Sequence, residues 1–179
     1  MRISSFVLTA LNDQAEHELS NEKKYRALAS WAEFIGLTGC ASFFRKQADG
    51  EHEHFLKVVS FIEDRNEKFV ASNTIIPAFS PSTFREAFRF VYDLEIATTE
   101  KIYTLKQVAE TSGDYSTCQW LMDPTGLIKE QVEEENIAQT ILDRIGTMSG
   151  GLAITGSDVM PATPDGLAID SLDKWIGEL

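Results

Sequence analysis

The sequence predicts an all-α fold: a four-helix bundle with one long crossover connection and a short fifth helix at the C-terminus. Apolar residues recur along most of the chain with a period of about 3.6 rather than two, which is typical of helices and not of strands. No proline occurs between Met1 and Ile76, so this stretch holds no strong helix breaker. Two of the connections between long helical segments are short and one is long, which is a recognised bundle topology.

The first two predicted helices form a hairpin. They cover about residues 4–37 and about residues 40–69, and Gly36 and Gly39 mark the turn between them. Because this connection is short, the two helices are expected to be antiparallel neighbours. Residues 71–83 are polar and contain proline, and they supply the crossover from one end of the bundle to the other.

The third and fourth predicted helices form a second hairpin. The third begins at a capping box, Thr83 with Glu86 three residues later, and continues to the Ser-Gly-Asp break at residues 112–114. The fourth covers about residues 115–146, and the stretch at 124–126 interrupts its beginning with a proline and a glycine.

We expect the bundle domain to cover residues 1–148. Residues 149–179 then form an extension that contains glycine and proline. Within it, the segment LAIDSLDKWIGEL at 167–179 predicts one short terminal helix, and GLAITGSDV at 151–159 is the other segment considered for that position.

Composition and charge exclude several classes of function. No apolar run approaches the roughly 18 residues of a membrane span, and the N-terminus has no small-residue cleavage site of a signal peptide. The formal net charge of −12 opposes binding to nucleic acid, whose phosphates carry the same sign. Cys40 and Cys118 are too few for a disulfide framework or a metal cluster and indicate free thiols in a reducing cytosol. We therefore expect a cytoplasmic protein.

Each predicted bundle helix carries a carboxylate on its apolar stripe. On the third helix Glu95 lies on the same face as Val91, Tyr92 and Ile102. An unpaired carboxylate at such a position costs several kcal/mol of desolvation. The other three helices repeat this feature at Glu18, at Glu51 with His54, and at Gln131 with Glu134.

The same spacing occurs in both halves of the chain. Glu18, Glu51 and His54 stand 33 and 3 residues apart, and Glu95, Gln131 and Glu134 stand 36 and 3 residues apart. Residues three apart share one helical face. The three additional residues of the second half are placed at 124–126, so the chain shows one pattern used twice.

Two divalent cations would neutralise the four inward carboxylates. Mixed carboxylate and imidazole ligands favour iron or manganese over zinc, whose structural sites prefer cysteine and histidine. In the segment DGEHEHFLK, Glu51 and His54 are then a ligand pair, whereas His52 and Glu53 point to solvent or to another subunit. A single inward glutamate is equally explained by a buried arginine partner or by an error in assigning the helical face. His54 alone is equally explained as a hydrogen-bonded core histidine. Four inward carboxylates in register favour a metal site.

Four segments around these residues resemble the ferroxidase segments of bacterial non-haem ferritins: LNDQAEHELSNEKKY (11–25), FFRKQADGEHEHF (43–55), YDLEIATTEKI (92–102) and KEQVEEENI (129–137). The resemblance covers roughly residues 4–148. It implies a ferritin-like bundle and a homo-oligomeric cage of twenty-four subunits. It also implies oxidation of Fe(II) by dioxygen or peroxide at a di-iron ferroxidase centre in each subunit, and storage of ferric mineral in the cage.

The resemblance also assigns ligands for two irons per subunit. Glu18 and His54 would bind the first iron, and Glu51 would bridge both. Glu95 and Glu134 would hold the second iron.

Two further residues receive roles from the resemblance. Gln131 would lie beside the oxygen-binding side of the centre, and Tyr25 would hydrogen-bond within the site and supply an electron. The fourth helix has Gln131 and Glu134 in place of a second E-x-x-H motif, which resembles ferritin and not bacterioferritin, so no haem is expected.

The family often has a third iron site beside the centre. Glu130 and Glu133 match two of its ligands, and Glu134 is shared with the second iron. Gly50 stands where a further glutamate is typical.

Two other functions remain open at this point. One is a non-storage di-iron carboxylate oxidase or peroxidase, although a rubrerythrin-like protein would carry a CxxC site that this chain lacks. The other is a helical interaction scaffold without metal.

Overall fold

The computed structural model describes residues 3–72, 76, 78–148 and 166–179. Within these residues the chain is helical and has no strand. The helices are α1 Ser5–Phe34, α2 Thr38–Asp64, α3 Phe84–Thr111, α4 Tyr115–Met122, α5 Leu127–Met148 and α6 Gly166–Ile176. Helices α1, α2, α3 and α5 form the predicted four-helix bundle, and no helix in the described part of the chain is long and apolar enough to cross a bilayer.

The two hairpins have identifiable start and stop signals. The Ser4 hydroxyl accepts a hydrogen bond from the Val7 amide at 3.3 Å and caps α1. Gly36 ends that helix with φ +83°, a left-handed conformation that glycine adopts without steric cost. Thr83 caps α3 as predicted, accepting from the Glu86 amide at 3.1 Å. The Glu86 carboxylate, however, accepts from the Ser82 amide and not from the cap residue, so the capping box is shifted by one residue.

The predicted fourth helix is two helices. The interruption at residues 124–126 is a full break, because the Asp123 carboxylate accepts from the Thr125 amide at 3.0 Å and closes a turn. Gly126 packs so closely on α4 that an added Cβ would lie 2.5 Å from the Trp120 carbonyl oxygen. The short helix α4 is itself anchored to the end of α2 by an ion pair between Arg65 and Asp114 at 3.0 Å.

The apolar core consists of two clusters, one toward each end of the bundle. One cluster includes Phe44, Phe88 and Ile141, and the other includes Leu11 and Leu105. On every long helix the residues of one cluster precede the inward polar residues and those of the other follow them. The polar residues therefore form a layer at mid-height, sealed by apolar side chains on both sides.

The predicted terminal helix is present as α6 and docks on the start of α2. Leu172 and Ile176 are fully buried. The Asp173 carboxylate accepts hydrogen bonds from the Gly39 amide at 2.9 Å and the Cys40 amide at 2.7 Å. An acidic side chain at a helix N-terminus satisfies free amides and complements the helix dipole. The alternative segment at 151–159 lies outside the described residues.

Alanine substitution at two glycines of α2 tests this docking. A Cβ at Gly39 would lie 1.9 Å from the Asp173 carbonyl oxygen, so we expect Gly39→Ala to displace α6 and lower the free energy of unfolding by about 1 kcal/mol or more. Nothing lies within 4 Å of a Cβ at Gly50, so Gly50→Ala is expected to stabilise the helix by about 0.5–1 kcal/mol. Chemical denaturation of the metal-free variants measures both effects; equal shifts in the two variants would contradict the docking.

Candidate metal centre

Four helices bring the predicted residues together at mid-height of the bundle. Glu18 comes from α1, Glu51 and His54 from α2, Glu95 from α3 and Gln131 from α5, and all five are buried. Glu51 and His54 face the same interior because they are three residues apart on one helix. Glu134, one turn after Gln131 on α5, keeps 20% of its side chain exposed. His52 and Glu53 are exposed, as predicted.

The tightest cluster joins Glu18, Glu51 and His54. One ligand atom from each residue lies within 4.8 Å of the others. Gln14 donates to Glu18 Oε1 at 2.7 Å, whereas Glu18 Oε2 and Glu51 Oε2 are buried with no hydrogen-bond partner. Buried carboxylate oxygens without a donor are rare and costly. These two unpartnered oxygens beside an imidazole are the arrangement that a divalent cation fits.

Glu95 is held by donors on both oxygens. The buried Tyr25 hydroxyl donates to its Oε1. Gln131 Nε2 donates to its Oε2 at 2.9 Å and to its backbone carbonyl at 3.2 Å. Gln131 and Tyr25 therefore both contact Glu95 in the bundle interior.

The two acidic residues predicted for a third site lie in different environments. Glu130 reaches the centre, since its Oε2 lies 3.1 Å from His54 Nε2. Glu133 is exposed, and its carboxylate pairs with Lys129 at 3.8 Å. The structure therefore brings Glu130 to His54 and does not bring Glu133 there.

Burial strongly perturbs the titration of the inward carboxylates. Burial and the neighbouring Glu51 raise the pKa of Glu18 well above its usual range. Burial and Glu95 raise the pKa of Glu51, and burial and then Glu95 raise that of Glu134 to about 8. Without metal the centre therefore retains protons at neutral pH, and a bound cation must displace them.

His54 and Glu130 titrate as an ion pair. Burial lowers the pKa of His54, but the hydrogen bond to Glu130 and the charges of Glu134 and Glu18 together raise it to about 8. The hydrogen bond from His54 and the bonds from Lys57, acting against burial, lower the pKa of Glu130 to about 2. Both members of this pair are charged at pH 7 in the metal-free protein.

The sequence reasoning missed a polar network beside the centre. Asn21 Nδ2 donates to Thr98 Oγ1 at 3.0 Å, and His17 Nε2 lies 3.0 Å from the same oxygen. Asn21 and Thr98 come three residues after Glu18 and Glu95, so the helical spacing that identified the carboxylates also places these two on the inner face. The network is a polar contact between α1 and α3 at the level of the carboxylates.

The family of ferritin-like domains matches residues 8–148 of this chain, which span all the centre residues. The chain belongs to the ferritin-like family. A bacterial non-heme ferritin of Staphylococcus aureus (strain USA300) is 31% identical over 166 residues, which are 91% of this chain and 98% of the relative. A bacterial non-heme ferritin of Staphylococcus haemolyticus (strain JCSC1435) is 32% identical over 147 residues, which are 80% of this chain and 87% of the relative.

Solved ferritin structures share the fold. The open pore ferritin of the hyperthermophilic archaeon Archaeoglobus fulgidus superposes with a TM-score of 0.84 at 27% identity, covering 98% of both chains. A structure described as a humanized archaeal ferritin gives a TM-score of 0.85 at 27% identity and covers 98% of this chain and 97% of the other. These likenesses confirm the predicted ferritin-like bundle.

The perturbed pKa values predict that the metal-free protein loses stability as pH rises from 6.5 to 8. The folded pKa of Glu134 is about 8 against an ordinary 4.5, so between these values the folded state binds a proton that the unfolded state has released. The raised pKa of His54 contributes stability that is complete below 6.5 and lost as pH rises through about 8. Burial lowers the pKa of His17 to about 3, so this residue makes stability rise with pH. That rise is complete above about pH 6.5 and does not offset the loss from Glu134 and His54.

We expect the free energy of unfolding to fall by roughly 1–3 kcal/mol across this window. Denaturant titrations at several pH values measure the slope. Glu134→Gln should reduce it, and Glu133→Gln, at an exposed neighbouring position, should leave it unchanged. Stability that is constant or rises between pH 6.5 and 8 would contradict the burial of ionisable carboxylates.

Proposed function

We propose that this protein oxidises Fe(II) at a di-iron ferroxidase centre within each subunit, using dioxygen or peroxide, and stores ferric mineral in a homo-oligomeric cage. One observation carries the proposal: the buried carboxylates of Glu18, Glu51 and Glu95 lie at one level of the bundle with His54, and two of their oxygens have no donor. Membership of the ferritin-like family supports iron as the metal and storage as the role. The iron is both substrate and cargo.

The proposed centre divides into two halves that share Glu51. Glu18 and His54 bind the first iron, Glu95 and Glu134 bind the second, and Glu51 bridges them. The proximity of Glu18, Glu51 and His54 supports the first half. For the second half the support is the burial of Glu95 and the influence of its charge on the pKa of Glu134.

The residues of the centre supply charge and geometry, and the iron supplies the redox chemistry. Two Fe(II) ions carry four positive charges, which match the four carboxylates once the retained protons leave. Each Fe(II) gives one electron to the oxidant. The hydrogen bonds from Tyr25 and Gln131 fix the position of the Glu95 carboxylate, which would be oriented before iron binds. Tyr25 is the buried group placed to give a further electron to a reactive oxidant.

For the storage role the proposal includes a cage of twenty-four subunits. The ferritin neighbours support a homo-oligomer, and the net charge of −12 attracts cations to the protein surface. A di-iron oxidase without storage would share the centre but take up no iron beyond it. A metal-free scaffold would show neither behaviour.

Titration of metal-free protein with Fe(II) in air, followed by near-ultraviolet absorbance on the millisecond scale, separates these functions. We expect a fast phase that saturates near two Fe(II) per chain, the occupancy of a two-metal site, followed by slow soluble uptake. A fast phase without further uptake would support the non-storage oxidase. The absence of a fast phase would overturn the ferroxidase proposal.

Two substitutions on α2 give a matched test of the bridging ligand. Glu51→Gln keeps the side-chain shape but removes the bridging charge, so we expect the fast phase to be abolished. Burial raises the pKa of Glu51, so the same change should also leave the metal-free protein at pH 8 as stable as wild type or more stable. Glu53→Gln, at an exposed position two residues away, should change neither property. A normal fast phase in Glu51→Gln would contradict the assignment.

A further inference from the structure

We propose that Glu130 is a positioning residue for His54, locked in place by Lys57, and that it is not a ligand of a third iron. The inference rests on the proposed function, because it assigns His54 to a metal. Glu130 and Lys57 lie beside the cluster of Glu18, Glu51 and His54. A charged lysine has no lone pair and cannot bind a metal ion.

The contacts of Glu130 carry the proposal. Its Oε2 lies 3.1 Å from His54 Nε2, within ion-pair distance. The Lys57 ammonium donates to both carboxylate oxygens, at 2.9 Å and 2.7 Å. The carboxylate therefore has a cationic partner on each oxygen and an imidazole on one of them.

These contacts orient the imidazole toward the centre. Nε2 lies beside Glu130, and the other ring nitrogen, Nδ1, lies 3.7 Å from Glu51 Oε2. Nδ1 is therefore the nitrogen that faces the centre, and it would bind a metal ion once its proton has left. Metal-binding histidines generally fix their orientation and tautomer by such a bond from the second nitrogen to a carboxylate.

The charge balance argues against a third cation. Lys57 already neutralises Glu130, so a metal ion on the same oxygens would have to displace a partly exposed ion pair. Glu133 is exposed and pairs with Lys129 at 3.8 Å. Position 50 is a glycine and offers no ligand. Among the residues predicted for the third site, only Glu134 both lies at the centre and has no lysine partner in the described contacts.

The break between α4 and α5 is part of the arrangement. Lys57 Nζ also donates to the Thr125 carbonyl at 3.0 Å, inside the turn that ends α4. This bond aims the ammonium at the first turn of α5, where Glu130 lies. The turn at residues 124–126 thus provides an acceptor for Lys57 between α2 and α5.

Anaerobic titration with Co(II), followed by calorimetry and by the visible absorbance of the bound ion, tests the proposal without iron oxidation. Wild type is expected to bind two Co(II) per chain. Glu130→Ala should weaken the binding of one of them by about 10- to 100-fold and change its absorption spectrum, because the imidazole is no longer oriented. Glu130→Gln keeps an acceptor and should lie between the two, and both variants should still bind two ions at saturation.

Two matched controls separate positioning from direct ligation. Lys57→Met should weaken the same ion, while Lys129→Met and Glu133→Ala, which alter the exposed pair on α5, should not. A wild type that binds three Co(II), with Glu130→Ala and Glu133→Ala each reducing the number to two at unchanged affinity, would show third-site ligands and overturn the proposal. Unchanged affinity and spectrum in Glu130→Ala would overturn it as well. Failure of wild type to bind Co(II) at the centre would instead overturn the proposed function on which the inference rests.

Discussion

The burial of several carboxylates at one level of an apolar bundle is the constraint on which the rest of this structure depends. Glu18, Glu51 and Glu95 are almost completely inaccessible to water, and burial raises the pKa of each. A protein core tolerates such groups only when protons, donors or cations compensate them. Here Glu95 has donors on both oxygens, whereas Glu18 and Glu51 each keep an oxygen without one. A divalent metal ion has the charge that would compensate these two oxygens without a donor.

The fold isolates this layer and fixes its geometry. Apolar clusters above and below exclude water, which strengthens electrostatic interactions between the centre and a bound cation. At the periphery, α6 caps the start of α2 through Asp173. Lys57 links the turn after α4 to Glu130. Because the buried carboxylates cost desolvation energy, the free energy of unfolding of the metal-free protein is lower than its apolar packing alone would give. A bound cation is expected to raise it.

Local patterns predicted what depends on local spacing, and they failed where distant parts of the chain meet. Helical periodicity and the i, i+3 pairs identified the four helices and the inward carboxylates. The proline and glycine at residues 124–126 predicted an interruption of the fourth helix. The sequence could not show that this interruption is a full break and not a kink, because the break depends on the close packing of Gly126 on Trp120. The role suggested for Lys57 was invisible, since it arises from contact with Glu130, 73 residues away. The expectation for Glu133 followed a family pattern, whereas its exposure is decided by the rotation of α5.

The measurement that tests the account most directly is anomalous X-ray diffraction at the iron edge from crystals soaked anaerobically in Fe(II). Two peaks per subunit are expected inside the bundle. One should lie against Glu18 and His54 Nδ1 and the other against Glu95 and Glu134, with Glu51 between them. An absence of peaks in this layer, or iron bound only at surface carboxylates, would contradict the claim that the buried carboxylates exist to hold metal.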